Sequence, residues 1–177
     1  KLTTFLDLYE EGIKLFNEEK YEEAKVNFQE SIDSPEFKLQ NAYYRSMSYY
    51  FRGFCLHKQS KYSGAIKDFT EAIERSQIVN SDFYYRRGLS KNGLLKYKEA
   101  IQDFEMVISI NPNNFEYQRI LSWSIQKSKS QSQSQNNRKK IEDLKKENIQ
   151  QDDIKKDDIK KKDIKKENMQ KKETVKE

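Results

Sequence analysis

The sequence predicts an all-α protein, a helical-repeat solenoid followed by a charged low-complexity tail. Three observations predict this fold class. A set of four residue types recurs three times at fixed offsets, apolar residues recur at helical spacing within each copy, and the C-terminal part of the chain changes to a five-residue period. A unit that recurs in this way cannot bury its apolar face alone, so its copies are expected to stack on one another.

The recurring set is a glycine, a tyrosine nine residues later, an alanine twelve residues after the glycine and a phenylalanine four residues beyond the alanine. A glycine inside a helix costs roughly 1 kcal/mol relative to alanine, so its recurrence indicates a contact where a larger side chain would hold two helices apart. The three copies are Gly12/Tyr21/Ala24/Phe28, Gly53/Tyr62/Ala65/Phe69 and Gly88/Tyr97/Ala100/Phe104.

Each copy predicts two helices separated by a short polar break. The second copy is preceded by additional residues, because the first two glycines are 41 residues apart and the last two are 35 apart. Ser34 before Pro35 is typical of a helix start, with serine as the N-cap and proline in the first turn. We therefore expect the first helix of the second repeat to begin early, at about Pro35, and to end near His57.

These residues resemble the tetratricopeptide repeat, a helix-turn-helix unit of about 34 residues. Tyr49 and Tyr84 hold the family's first aromatic position, and Pro112 holds its terminal proline. Arg52 and Arg87 stand where the family commonly has leucine. The resemblance covers roughly residues 5–114 and implies a right-handed solenoid.

A further helix is expected after the third repeat, where Asn114 can cap a segment whose apolar residues would cover the open end of the stack. Those residues are Phe115, Tyr117, Leu121 and Ile125. The predicted organisation is a domain over residues 1–130, with repeats at about 5–38, 46–79 and 81–114 and a capping helix at about 114–129, then a polar linker over 131–137 and a tail over 138–177.

The tail repeats a charged pentapeptide with one apolar residue in each copy. On a helix of about 100° per residue, a five-residue step moves the apolar position by about 140°, so no stripe forms and a coiled coil is excluded. Acidic residues precede lysines by three and four, which favours a solvated helix, whereas the low apolar content favours disorder. Both alternatives stay open. The apolar positions are Leu144, Ile149, Ile154, Ile159, Ile164 and Met169.

Charge follows the same division of the chain. The formal net charge is +5, and the segment from Asn136 onward contains 15 Lys/Arg against 11 Asp/Glu, so most of the positive charge belongs to the tail. Both signs occur throughout the pentapeptides, which disfavours a phosphate-binding arm. A nucleic-acid partner is therefore disfavoured.

The sequence shows no catalytic constellation. The only histidine, His57, lies two residues after the only cysteine, Cys55, and side chains at i and i+2 of a helix do not face each other. A metal site needs more ligands than this pair supplies. We expect no enzyme activity, no cofactor, no metal and no small-molecule substrate. No apolar run approaches the ~20 residues of a membrane span. A single cysteine suits a reducing compartment, so an intracellular, cytoplasmic protein is expected.

The resemblance implies a function on the concave surface, which the first helix of each repeat lines. We expect an aromatic groove that binds a peptide or helix of another protein, as a non-enzymatic scaffold. The predicted groove residues are Tyr9, Ile13, Phe16, Tyr50, Phe54, His57, Tyr85, Arg86 and Leu89, with Met47 and Asn92 beside them.

Chaperone-binding members of the family hold a C-terminal carboxylate with two lysines, two asparagines and an arginine. Only the arginine is kept here, so no carboxylate clamp is expected. The corresponding residues are Tyr9, Ile13, Phe51, Asp82 and Arg86. Two other readings remain: a structural subunit embedded in a large assembly and, less favoured, a nucleic-acid-binding accessory protein.

A synthetic peptide of residues 138–177 should be monomeric and weakly helical, because its apolar residues form no pairing seam. Its acid-to-lysine pairs each contribute only a few tenths of a kcal/mol, so its helicity should fall as salt is raised. Circular dichroism over a range of concentrations checks this expectation. Strong helicity that grows with concentration would reveal an oligomerisation segment.

Overall fold

The computed structural model describes residues 4–173, which contain seven α-helices and no strand. This confirms the predicted all-α repeat class. The helices are α1 (Phe5–Asn17), α2 (Tyr21–Asp33), α3 (Ala42–Lys58), α4 (Tyr62–Arg75), α5 (Ser81–Gly93), α6 (Tyr97–Ile110) and α7 (Phe115–Glu173), and a 3-10 turn spans Phe37–Leu39.

The recurring glycines lie where the two helices of each repeat meet. A Cβ built on Gly12 would lie 2.9 Å from Phe28 Cε1, and one on Gly88 would lie 2.7 Å from Phe104 Cε1. At Gly53 the nearest atom is Asp68 Cβ, at 2.9 Å. The phenylalanines and alanines of all three sets are fully buried. Glycine therefore permits the contact between paired helices.

The turn inside each repeat has one geometry. Glu19, Ser60 and Leu95 have φ of 60°, 58° and 58°, the left-handed region that side chains other than glycine seldom adopt. The next residue donates its N–H to a carbonyl five residues back at 2.9 Å in all three turns, for example from Lys61 to Leu56. These bonds satisfy carbonyls at the helix ends and offset the strain.

The first helix of the second repeat does not begin at Pro35 as predicted. It begins at Ala42, and Asn41 Oδ1 caps it by accepting from Tyr44 N at 3.0 Å. The preceding 3-10 turn instead buries Phe37, whose ring centroid lies 6.2 Å from that of Phe5. The residues inserted before this repeat thus pack an aromatic ring against the start of the stack, which removes apolar surface from water.

Two ion pairs with buried aspartates join paired helices, one pair inside the second repeat and one inside the third. Arg52 Nη2 lies 2.6 Å from Asp68 Oδ1, and Arg87 Nη2 lies 2.7 Å from Asp103 Oδ1. Lys91 Nζ also reaches Asp103, at 2.8 Å. The arginines that depart from the family's leucine are therefore held by carboxylates on the facing helix, a pairing that the repeat pattern alone did not indicate.

The chain divides into two compact units, Lys1–Ser128 and Lys129–Glu177. In the second unit the described side chains are exposed, except for half-buried Gln131 and Ser132. Residues 131–137, expected to be a linker, are helical. The division into capping helix, linker and tail stays a prediction, and residues 174–177 of the tail lie outside the described ones.

Phe69→Ala should lower the free energy of unfolding by roughly 3–5 kcal/mol, because it empties a fully buried aromatic site. Ala65→Arg should prevent stacking altogether by overfilling the contact between α3 and α4. Urea denaturation followed by circular dichroism measures both effects. Lys67→Ala, at an exposed position of α4, is the control and should be nearly neutral. A parent-like melt of Ala65→Arg would contradict the packing described here.

Candidate functional site

The predicted groove residues divide into an accessible group and a buried pair. Ile13, Phe16, Phe54, His57, Tyr85, Arg86 and Leu89 are half-buried side chains of the first helices α1, α3 and α5. Tyr9 and Tyr50 are buried, with exposed fractions of 7% and 8%. These two tyrosines are therefore less exposed than the other seven predicted groove residues.

Tyr50 is buried because the next repeat covers it. Its ring centroid lies 5.1 Å from that of Phe83 on α5 and 5.9 Å from that of Phe69 on α4. Its hydroxyl donates a hydrogen bond to Asp82. Burial raises the pKa of Tyr50, and the Asp82 carboxylate adds to the rise, so the phenol stays protonated as the donor. Tyr9 is enclosed similarly, with its ring centroid 5.2 Å from that of Tyr44.

Phe16, Phe54 and Arg86 form a continuous row across the three repeats. The ring centroids of Phe16 and Phe54 are 4.9 Å apart, and the guanidinium carbon of Arg86 lies 4.4 Å from the centroid of Phe54. Arg86 Nε is also 3.5 Å from Asp82 Oδ1. The only cation at the five positions of the carboxylate clamp thus already faces an anion and an aromatic ring.

A cavity of about 370 Å³ lies between α5 and the first turns of α7. Its walls are mainly apolar, with one charge of each sign. They consist of Tyr85, Leu89, Asn92, Glu116, Arg119, Ile120 and Trp123. Tyr85 and Leu89 were predicted from the sequence, whereas Ile120 and Trp123 were not. No repeat position indicated Trp123, although it is the only tryptophan in the sequence.

A second cavity, of about 600 Å³, lies at the first repeat between α1 and α3. Tyr9, Ile13 and Tyr44 supply its apolar wall, and Glu10 and Lys14 supply charges of opposite sign. Of the predicted groove residues, Tyr9 and Ile13 therefore line one cavity, and Tyr85 and Leu89 line the other.

His57 and Cys55 do not form a catalytic pair. Cys55 is fully buried, and burial raises the pKa of its thiol to about 12. His57 Nδ1 lies 2.8 Å from Ser90 Oγ, and burial together with Arg86 and Lys58 lowers the pKa of the imidazole. Within residues 4–173, the described side chains contain no cluster of three metal-ligating groups. No described helix is both long and apolar enough to cross a membrane.

Tyr50→Ala should lower the free energy of unfolding by roughly 3–5 kcal/mol, because it removes a ring buried between two repeats. Tyr85→Ala occupies the same position of the next repeat but is only half-buried, so it should be much less destabilising. Urea denaturation of the two variants side by side measures the difference. Equal destabilisation would contradict the distinct environments of the two rings.

The chain is similar to proteins of one repeat family. A model of the tetratricopeptide repeat matches residues 81–114. Human RNA polymerase II-associated protein 3 is 28% identical over 111 residues, which are 63% of this chain and 16% of that protein. The chain therefore spans less than a fifth of this relative's length.

Two solved domains extend the likeness. The first tetratricopeptide domain of Spaghetti (RPAP3), bound to the HSP90 peptide SRMEEVD, is 28% identical with a TM-score of 0.58, covering 70% of this chain and 94% of that one. The second such domain of human RPAP3, in complex with the HSP70 peptide SGPTIEEVD, is 31% identical with a TM-score of 0.57, covering 67% of this chain and 92% of that one. With three helix pairs built on the same glycine and phenylalanine contact, these likenesses place the chain in the tetratricopeptide repeat family.

Proposed function

We propose that this chain is a non-enzymatic protein-interaction scaffold whose first helices bind a peptide or helix of a partner protein. The observation that carries this proposal is the cavity between α5 and α7, because half-buried apolar walls with a few polar groups are typical of a binding site. The row of Phe16, Phe54 and Arg86 continues this surface along the first helices α1, α3 and α5. Aromatic and arginine side chains are the usual centres of binding energy at protein interfaces.

The proposal includes recognition without a carboxylate clamp. The two solved relatives carry chaperone peptides that both end in EEVD. In this chain, the clamp positions on α1 are the uncharged Tyr9 and Ile13, and Asp82 places a negative charge beside Arg86. A peptide carboxylate would have to displace that ion pair and would face Asp82 while doing so, which is unfavourable in a half-buried site. An internal apolar or aromatic segment fits this surface better.

The proposal retains the expectation of an intracellular, cytoplasmic protein. The buried free thiol of Cys55 suits a reducing compartment. A role as a permanent subunit of a large assembly is the alternative, and it predicts that the full chain associates or aggregates when purified alone.

The test is to select binders from a library of random linear peptides displayed on their own messenger RNA, using the full chain as bait. Leu89→Lys should weaken the selected peptides about tenfold or more, because it places a charge in the wall of the α5–α7 cavity. Leu56→Lys is a matched control: Leu56 is also a half-buried leucine of a first helix, but it lines a different cavity beside α2 and α4. Fluorescence anisotropy measures the affinities, and thermal melts verify that both variants fold.

Equal losses of affinity in the two variants would place the binding site elsewhere. If a monomeric, folded chain selects no peptide at all, the scaffold proposal is contradicted. The clamp is tested separately with the peptide SRMEEVD and its C-terminal amide. Neither should bind measurably. Binding of the acid that is lost in the amide would show that a clamp operates despite Asp82.

A further inference from the structure

Two polar side chains occupy the same position of successive repeats and bond in the same way to the next repeat. His57 and Asn92 each lie four residues after the glycine of their repeat. His57 Nδ1 is 2.8 Å from Ser90 Oγ, and Asn92 Nδ2 is 2.9 Å from Ser124 Oγ. In each case the serine belongs to the following first helix, 33 or 32 residues further along the chain.

The serines determine which atoms donate. Ser90 Oγ lies 2.9 Å from the carbonyl oxygen of Arg86, and while its single hydrogen is donated there it accepts from His57 Nδ1–H. Ser124 Oγ likewise donates to the carbonyl of Ile120, at 2.8 Å, so it accepts from the Asn92 amide nitrogen. The arrangement fixes both the tautomer of the neutral imidazole and the orientation of the amide.

The remaining atoms are therefore acceptors, His57 Nε2 and Asn92 Oδ1. Asn92 Oδ1 is buried and has no hydrogen-bond partner among the described residues, and the described hydrogen bond of the His57 ring is the one at Nδ1. Asn92 is only 8% exposed, and its side chain lines the cavity between α5 and α7. Buried polar atoms in proteins are nearly always paired, and an unpaired one is costly. A donor that enters this cavity would remove that cost.

The first repeat shows that the pattern is not required for stacking. There the same two positions hold Phe16 and Cys55, which belong to one hydrophobic cluster. The serine occurs only where the preceding repeat has a polar side chain at this position. Repeats two and three thus carry an oriented acceptor where repeat one carries an apolar contact.

We propose that His57 Nε2 and Asn92 Oδ1 accept hydrogen bonds from main-chain N–H groups of an extended partner segment that lies along α3 and α5. This inference rests on the proposed function and specifies how the same surface binds its peptide. The main chain is the donor that recurs along any extended segment, and the two acceptors recur with the repeat. Arg86 and Lys58 lie close enough to His57 to repel a cationic side chain as donor.

A hydrogen bond accepted by His57 makes the affinity for the partner depend on pH. A protonated imidazole donates from both nitrogens and no longer accepts. The groups that face His57 are Arg86 and Ser90 of α5, Lys58 of its own helix and the Tyr62 ring, whose centroid lies 5.3 Å away. Burial and the two cations lower the pKa of His57, so it stays an acceptor at neutral pH. Affinity should fall only when the pH drops below the ordinary range of histidine.

The experiment uses the tightest peptide from the displayed library and the full chain. Each backbone N–H of the peptide is replaced in turn by N–CH₃. Two positions should each lose about tenfold or more in affinity, the size of one buried hydrogen bond left unmade. The loss at one position should vanish in His57→Phe, and the loss at the other should vanish in Asn92→Leu, because each variant lacks the acceptor concerned. Losses that instead follow a side chain of the peptide would overturn the main-chain assignment.

His57→Asn is the matched variant, since it reproduces the residue that the third repeat has at this position. It should keep the sensitivity to N-methylation but lose the pH dependence. The affinity of the wild-type chain should fall as the pH is lowered from about 7.5 to about 5, because only a neutral imidazole accepts. If the wild type and His57→Asn respond to pH equally, His57 is not the acceptor.

The free protein provides a test that needs no peptide. Nitrogen-15 spectra of the imidazole at about pH 7.5 should show the Nδ1–H tautomer, and Ser90→Ala should shift the population toward Nε2–H. A dominant Nε2–H tautomer in the wild type would overturn the inference. Some selected peptides could lose affinity in Leu89→Lys while the effect of N-methylation stays the same in His57→Phe and Asn92→Leu. That result would contradict the inference and leave the proposed scaffold function intact. Failure to select any groove-dependent peptide would remove both.

Discussion

The contact between a glycine and a phenylalanine inside each helix pair is the constraint on which the rest of the structure depends. Phe28 and Phe104 lie so close to Gly12 and Gly88 that a methyl group at either glycine would overlap the ring. This approach brings the first helices to a fixed distance from the second helices and leaves the opposite side of each first helix for its neighbours. The predicted residues of the candidate site lie on first helices that are held in this way, and α7 supplies the other wall of the cavity beside α5.

Ion pairs also join the two helices inside the second and third repeats. Arg52 with Asp68, and Arg87 with Asp103, join the two helices of a repeat at equivalent positions. The first repeat has Glu11 and Asn27 at these positions, so both partners change together along the chain. A buried charge without its partner is strongly destabilising, whereas the complete pair contributes little net stability. Removing one partner of such a pair should therefore cost more stability than the complete pair contributes.

The three tyrosines that precede each glycine by three residues show how neighbours decide a site. Tyr9, Tyr50 and Tyr85 have the same position in their repeats, yet only Tyr85 is half-buried. Tyr50 is enclosed by Phe83 and Asp82 of the following repeat, whereas Tyr85 meets Tyr117 of the last helix, with ring centroids 5.0 Å apart. Spacing alone predicts the same environment for all three tyrosines, because it specifies the position within a repeat but not the side chains that the next repeat contributes.

The sequence by itself determined the fold class and the pairing of helices inside each repeat, because glycine, alanine and phenylalanine at fixed offsets report contacts local to one repeat. Only the tertiary structure decided which of those residues are accessible, that Trp123 and Ile120 complete a cavity with Leu89, and that Ser90 and Ser124 orient His57 and Asn92. Those features arise between side chains more than 30 residues apart, whose contact depends on the stacking of whole repeats.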